Sequence, residues 1–131
     1  MKIFLSYTMR DGNVTLLRLR QASDYLRRFG SVFADAIHNA DTDRQARVER
    51  EIAECDLVVS IETSAFRKSA WVYREQEIAS RLQKKTISVE WLQGENWESV
   101  LSSILNQIEE ERAANNAMHS DGNSAALHSR R

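Results

Sequence analysis

Leu57-Val58-Val59-Ser60-Ile61, then Glu62, then Thr63-Ser64-Ala65-Phe66-Arg67-Lys68-Ser69-Ala70-Trp71-Val72-Tyr73-Arg74-Glu75: this stretch decides the fold. Its first five residues are the most apolar short run in the chain, and such a run reads as a strand buried on both faces. The residues just after it then lie at the carboxyl edge of a sheet, where open α/β folds place their ligands. Over 69–84 the period becomes helical. Trp71, Val72, Glu75, Ile78, Ala79 and Leu82 fall on one stripe, with Arg74, Glu77 and Arg81 on the outer face. Glu75 is the carboxylate on the inner stripe, where an unpaired charge is costly. It either pairs with an arginine or caps a backbone amide, or it faces a substrate.

Upstream, Lys2-Ile3-Phe4-Leu5-Ser6 reads as a first strand, followed by a turn at Asp11-Gly12. Leu16, Leu19, Ala22, Leu26 and Phe29 repeat at helical spacing up to Gly30, a helix stop. Ser31-Val32-Phe33-Ala34-Asp35 is a second strand, and Asp41-Thr42-Asp43 offers caps for a helix carrying Ala46, Val48, Ile52 and Ala53 inward. Downstream, 86–91 forms a fourth strand broken by Gly94 and Asn96, and Trp97, Val100, Leu101, Ile104 and Ile108 mark a helix over 97–112.

Strands alternating with helices imply a parallel sheet with right-handed crossovers. The expected fold is α/β and flavodoxin-like: three layers around a four- to five-stranded parallel sheet ordered 2-1-3-4(-5), the optional fifth strand lying near 92–96. The domain spans 1–112. Residues 113–131, rich in Ala, Asn, Ser and His, read as a disordered tail in which His119 and His128 are solvated. The switch point between the first and third strands should gather Tyr7, Thr8 and Arg10 with Thr63, Ser64 and Glu75, the connection from Asp35 to Asp43 approaching from the side.

At 131 residues, 42% hydrophobic and 28% charged, the chain suits one soluble globular domain. Its single cysteine, Cys55, rules out an internal disulfide framework and a cysteine-based zinc cluster, and its place before the apolar run suggests a buried, inert thiol. A net charge of −1 gives no electrostatic case for a nucleic-acid partner. No apolar stretch approaches a membrane span and the N-terminus does not read as a signal peptide, so a cytoplasmic location is expected.

Three segments carry a family resemblance covering about residues 1–110. Ile3-Phe4-Leu5-Ser6-Tyr7 resembles the first-strand motif of Toll/interleukin-1 receptor (TIR) domains, with Asp11 where that family often has an acidic residue. Ser31-Val32-Phe33-Ala34-Asp35 resembles their second strand. Thr63, Phe66, Ser69, Trp71 and Glu75 resemble their most diagnostic segment, closest to NAD-cleaving members.

The resemblance implies an NAD glycohydrolase or cyclase in immune or defence signalling, with NAD as substrate and neither cofactor nor metal. It makes Glu75 the catalytic residue, and Tyr7, Thr8, Arg10, Asp35, Thr63, Phe66, Ser69 and Trp71 substrate-binding. Trp71 would stack on a substrate ring, with Phe66 shaping the pocket. Self-association, or pairing with another TIR domain, is implied too. The chain departs from the family in the connection 36–41, which lacks the usual glycine and proline, and in a compressed region after Trp91; His38 in that connection reads as solvated.

Two other readings stand beside the enzyme. One is a non-catalytic TIR module acting by TIR–TIR association, and the other a nucleoside deoxyribosyltransferase-like enzyme, against which the second-strand and tryptophan motifs argue. A phosphoacceptor receiver domain is set aside, because Ile61-Glu62 ends the third strand where an aspartate is needed.

Overall fold

Four strands form one parallel sheet in the order β2-β1-β3-β4: β1 (Lys2–Ser6), β2 (Ser31–Ala34), β3 (Leu57–Glu62) and β4 (Thr86–Glu90). The fold is α/β and flavodoxin-like, as the alternation of elements implies. The computed structural model describes the backbone of residues 1–128 and the side chains of residues 1–117. Its helices are α1 (Leu16–Leu26), α2 (Asp35–His38), α3 (Arg44–Glu54), α4 (Ala70–Arg81) and α5 (Trp97–His128), with single 3-10 turns at Arg27–Phe29 and Phe66–Lys68.

Side-chain alternation along the strands divides the core in two. Ile3, Leu5, Val59, Ile61 and Val89 pack on one face with Leu19, Ala22 and Leu26 of α1 and Val100, Ile104 and Ile108 of α5. Phe4, Phe33 and Val58 pack on the other with Val48 and Ile52 of α3 and Ile78 and Ala79 of α4. Cys55 lies buried in that second cluster as a free thiol, and burial raises its pKa.

Local chemistry fixes the element ends. Thr15 caps α1 by accepting the Arg18 N–H at 3.2 Å, and Asp43 caps α3 by accepting the Ala46 N–H at 3.0 Å. Gly30, at φ 148°, sits where the chain enters β2 against Met1, and a Cβ there would collide with the Met1 carbonyl.

Four features differ from the sequence expectations. Asp35 does not end β2 but begins the short helix α2. His38 is not solvated: its Nδ1 accepts the Ala34 N–H at 2.8 Å, and burial lowers its pKa. No fifth strand forms at 92–96 among the described residues. Gly94 at φ 89° and the hydrogen bonds of Glu95 to Leu92 fold that segment into a turn, with Trp91 Nε1 donating to the Glu95 carbonyl at 2.9 Å. The backbone of α5 continues past Arg112 to His128 through Ala113, Ala114 and Ala117, strong helix formers. Of the segment read as a tail, the side chains from 118 on, His119 and His128 included, lie outside the described residues.

Candidate active site

A pocket of about 290 Å³ opens at the carboxyl edge of the sheet, where β1 lies between β2 and β3. The loop after β1 supplies Tyr7, Thr8, Met9 and Arg10, the start of α2 supplies Asp35 and Ala36, and the start of α4 supplies Ser69, Trp71 and Glu75. The strand order brings these three segments together; they are far apart in the chain.

Glu75 is 5% exposed. Periodicity places it inward on α4, and the Ser6 hydroxyl at the end of β1 donates to its Oε1 at 2.9 Å. Burial pushes its pKa up to about 8, the negative charge of Asp35 adds to that, and hydrogen bonding from Ser6 and Trp71 opposes it. Among the described residues Glu75 enters no ion pair. Of the bland roles open to it in the sequence, pairing with an arginine is therefore not what the structure shows.

Tyr7 is a neutral phenol. Burial raises its pKa to about 12 against the opposing effect of the Ala36 N–H, which its oxygen accepts at 2.8 Å. The O–H proton remains to be donated. Asp35 is engaged by Arg44 Nη2 at 2.9 Å and Asn39 Nδ2 at 2.6 Å, so it shapes the pocket wall as a compensated charge. Ser69 accepts the Val72 N–H at 3.2 Å and caps α4, which fixes where the helix carrying Glu75 begins.

Seven residues singled out in the sequence share this pocket: Tyr7, Thr8, Arg10, Asp35, Ser69, Trp71 and Glu75. Three do not. Thr63 and Ser64 line a separate hollow of about 360 Å³ with Glu62, Arg67 and Glu90, and Phe66 is buried at the 3-10 turn after β3. Trp71 is not on the buried stripe, since it is 38% exposed at the pocket rim; Leu82 at the far end of α4 is exposed too.

Sequence reasoning missed Ser6 and Gln76. Ser6 is fully buried, and its Oγ accepts Gln76 Nε2 at 3.2 Å; the same nitrogen donates to the buried Ser60 at 3.1 Å. The available signal was a serine in each of two otherwise apolar strands, paired in register as Ser6 and Ser60.

No protein-family model matches this chain, and no curated protein matches it. Among solved structures, it resembles the Clostridium botulinum CMP N-glycosidase BcmB at 20% identity and a TM-score of 0.53, over 79% of this chain and 82% of that one. It also resembles the TIR domains of the activated Roq1 resistosome that directly recognizes the pathogen effector XopQ, at 16% identity and a TM-score of 0.56, over 86% and 75% of the respective chains. These likenesses establish a shared fold. No helix among the described residues is long and apolar enough to cross a membrane.

Proposed function

We propose that this chain is a TIR-like N-glycosidase that cleaves the bond between nicotinamide and ribose in NAD, with Glu75 as the catalytic carboxylate. The observation that carries the reading is Glu75 itself, a desolvated carboxyl in a pocket with no ion-pair partner among the described residues. Such a group is stabilised by a ligand that brings positive charge, and the nicotinamide ring of NAD is a cation. As that ring approaches, the pKa of Glu75 falls and the carboxylate forms beside the ribose.

The C1′–N bond then breaks, its electron pair passing to the ring nitrogen, and nicotinamide leaves neutral. The positive charge left on the ribose is held by Glu75 in a site of low polarity. Water adds at C1′ and loses a proton to give ADP-ribose; attack by a nitrogen of the adenine ring instead gives a cyclic product. Trp71 at the rim offers a face for the leaving ring, Arg10 a charge for the pyrophosphate, and the Tyr7 O–H a donor for a sugar or phosphate oxygen. NAD is substrate in this scheme, and no cofactor enters it. Association with a second TIR-like domain would cover the exposed Met9 and Trp71 at the mouth.

Pocket size favours a second reading. About 290 Å³ is at the small end of ligand sites, which suits a nucleoside monophosphate, the substrate class of the N-glycosidase with the same fold. There the base leaves after protonation, and Glu75 would serve as the acid.

The test incubates the purified protein at high concentration with NAD or with CMP and follows release of nicotinamide or cytosine by chromatography. Glu75→Ala and Glu77→Ala proteins run alongside; Glu77 is exposed on the outer face of α4. The expected result is nicotinamide from wild type and Glu77→Ala and none from Glu75→Ala. Cytosine release alone selects the second reading. Absence of both from a folded protein at every concentration overturns the glycosidase and leaves an interaction module; base exchange on a deoxynucleoside would mark a transferase.

A further inference from the structure

The polar contacts behind Glu75 run away from the pocket and into the sheet. Ser6 has one proton and donates it to Glu75 Oε1 at 2.9 Å. Its oxygen in turn accepts from Gln76 Nε2 at 3.2 Å, and that nitrogen also donates to Ser60 at 3.1 Å. Ser6 and Ser60 are register partners on β1 and β3, both fully buried. Burying two hydroxyls in apolar strands is unfavourable unless each is satisfied, and Gln76 is the side chain that meets both.

Gln76 also sets the direction of the contacts. With its amide nitrogen toward the serines, it can only donate to them, so the Ser6 proton stays available for Glu75. The opposite amide orientation would draw the Ser6 proton to Gln76 and leave an ionised Glu75 without its donor. Meanwhile the other hydrogen bond to the Glu75 carboxyl comes from Trp71, which like Glu75 lines the pocket, so the sheet side of the carboxyl is held by Ser6 alone.

We propose that Ser6 and Gln76 are positioning residues for Glu75: Gln76 fixes Ser6 as a donor, and Ser6 holds Oε1 from the sheet side so that the carboxyl faces the pocket. Neither Ser6 nor Gln76 lines the pocket, so they act through the carboxyl rather than on the ligand. The inference rests on the N-glycosidase reading for its catalytic consequence but not for its structural one. Tyr7, Arg10 and Asp35 are the other titratable or charged groups lining the pocket, and both variants below leave them in place.

The experiment titrates the Glu75 carboxyl by carbon-13 NMR in the full chain labelled at glutamate, with the resonance assigned from Glu75→Gln. Wild type, Ser6→Ala and Gln76→Met are compared, with circular dichroism as the check on folding. Ser6→Ala is expected to raise the Glu75 midpoint by about one pH unit or more, because it deletes a donor to the charged form. Gln76→Met should shift it in the same direction by less, since Ser6 remains but is no longer oriented. Gln76→Met carries the test alone if Ser6→Ala does not fold.

With NAD as substrate, kcat should fall roughly ten- to a hundredfold in Ser6→Ala while KM changes by less than about threefold, the pattern of a lost transition-state contact. An unchanged midpoint in the folded variants overturns the proposal whatever the substrate is. A raised midpoint in a protein that cleaves no NAD upholds the positioning role and overturns the NAD reading instead.

Discussion

The Asp11 carboxylate accepts the Ala65 N–H at 3.0 Å and the Ser64 hydroxyl at 3.2 Å, joining the loop after β1 to the loop after β3. Burial alone would raise its pKa, but the Ala65 N–H and the neighbouring hydroxyls outweigh that and hold it below the usual carboxylate value. The contact ties down the loop that carries Tyr7, Thr8 and Arg10. Asp11→Ala should therefore destabilise the protein by about 1–2 kcal/mol, read as a shift in the urea midpoint at neutral pH. Because the folded-state pKa is depressed, this contribution is present above the ordinary aspartate value of 3.8 and fades as pH falls through the folded one. The gap between wild type and Asp11→Ala should narrow in that acid window; equal stability at pH 7 would refute the contact's importance.

Glu75 behaves in the opposite sense. Its pKa rises from 4.5 to about 8, so between those values the folded chain keeps a proton that the unfolded chain has released. Stability falls as pH rises through the window, by an amount on the order of 5 kcal/mol if the whole shift is expressed. Glu75→Gln keeps the acceptor for Ser6 but cannot ionise. Its stability relative to wild type should grow from pH 5 to pH 8 and level off above, checked by denaturant midpoints at pH 5, 7 and 9. Parallel stability curves would mean that Glu75 is ionised at ordinary pH in the free protein.

The same group predicts the rate profile. For NAD, where the carboxylate is the working form, kcat/KM should rise with pH and level off above about 8, since this quantity reports the free enzyme. If Glu75 acts instead as an acid on a nucleoside monophosphate, kcat/KM should fall through the same value. A profile flat from pH 6 to 9 for either substrate would remove Glu75 titration from the mechanism.

Much of this arrangement was legible in the sequence because it follows from local periodicity. The apolar runs located the strands, and the helical stripe put Glu75 inward while leaving Arg74, Glu77 and Arg81 outside. What escaped depends on partners distant in the chain. Ser6 and Glu75 are separated by 69 positions, and nothing in either neighbourhood announces their hydrogen bond. Helix α2 is too short for a periodic signal; the Ala34 N–H on its own His38 closes it locally, and the Ala36 N–H on Tyr7 ties it to a residue distant in the chain. Trp71 shows the limit of the stripe itself, since periodicity gives a side chain its face but not whether the sheet extends far enough to cover it.

Gln83 follows α4 at φ 55°, a left-handed conformation that favours glycine, and hydrogen bonds from Gln83 to Ser80 and from Lys84 to Ala79 close the helix end. Gln83→Gly should stabilise the protein by about 0.5–1 kcal/mol, as relief of the Cβ strain exceeds the added freedom of the unfolded chain. Thermal denaturation checks it. A lower melting temperature would show that the side chain contributes more than its backbone conformation costs.

Trp71 is 38% exposed on the first turn of α4, at the mouth of the pocket that Glu75 lines. It belongs to neither buried core cluster, so Trp71→Ala should cost less than the about 3–5 kcal/mol of truncating a core aromatic. An aromatic face at the mouth can hold a planar ring in the ground state and in the transition state alike, which affects KM more than kcat. Trp71→Ala is therefore expected to raise KM for NAD about tenfold with kcat within about threefold, and Trp71→Phe to recover most of the loss. The indole also opposes the raised pKa of Glu75 through hydrogen bonding, a contact phenylalanine cannot make. The two variants thus separate the roles: recovery of KM in Trp71→Phe identifies the ring face. A fall in kcat shared by both, with KM unchanged, would instead assign Trp71 to the support of Glu75.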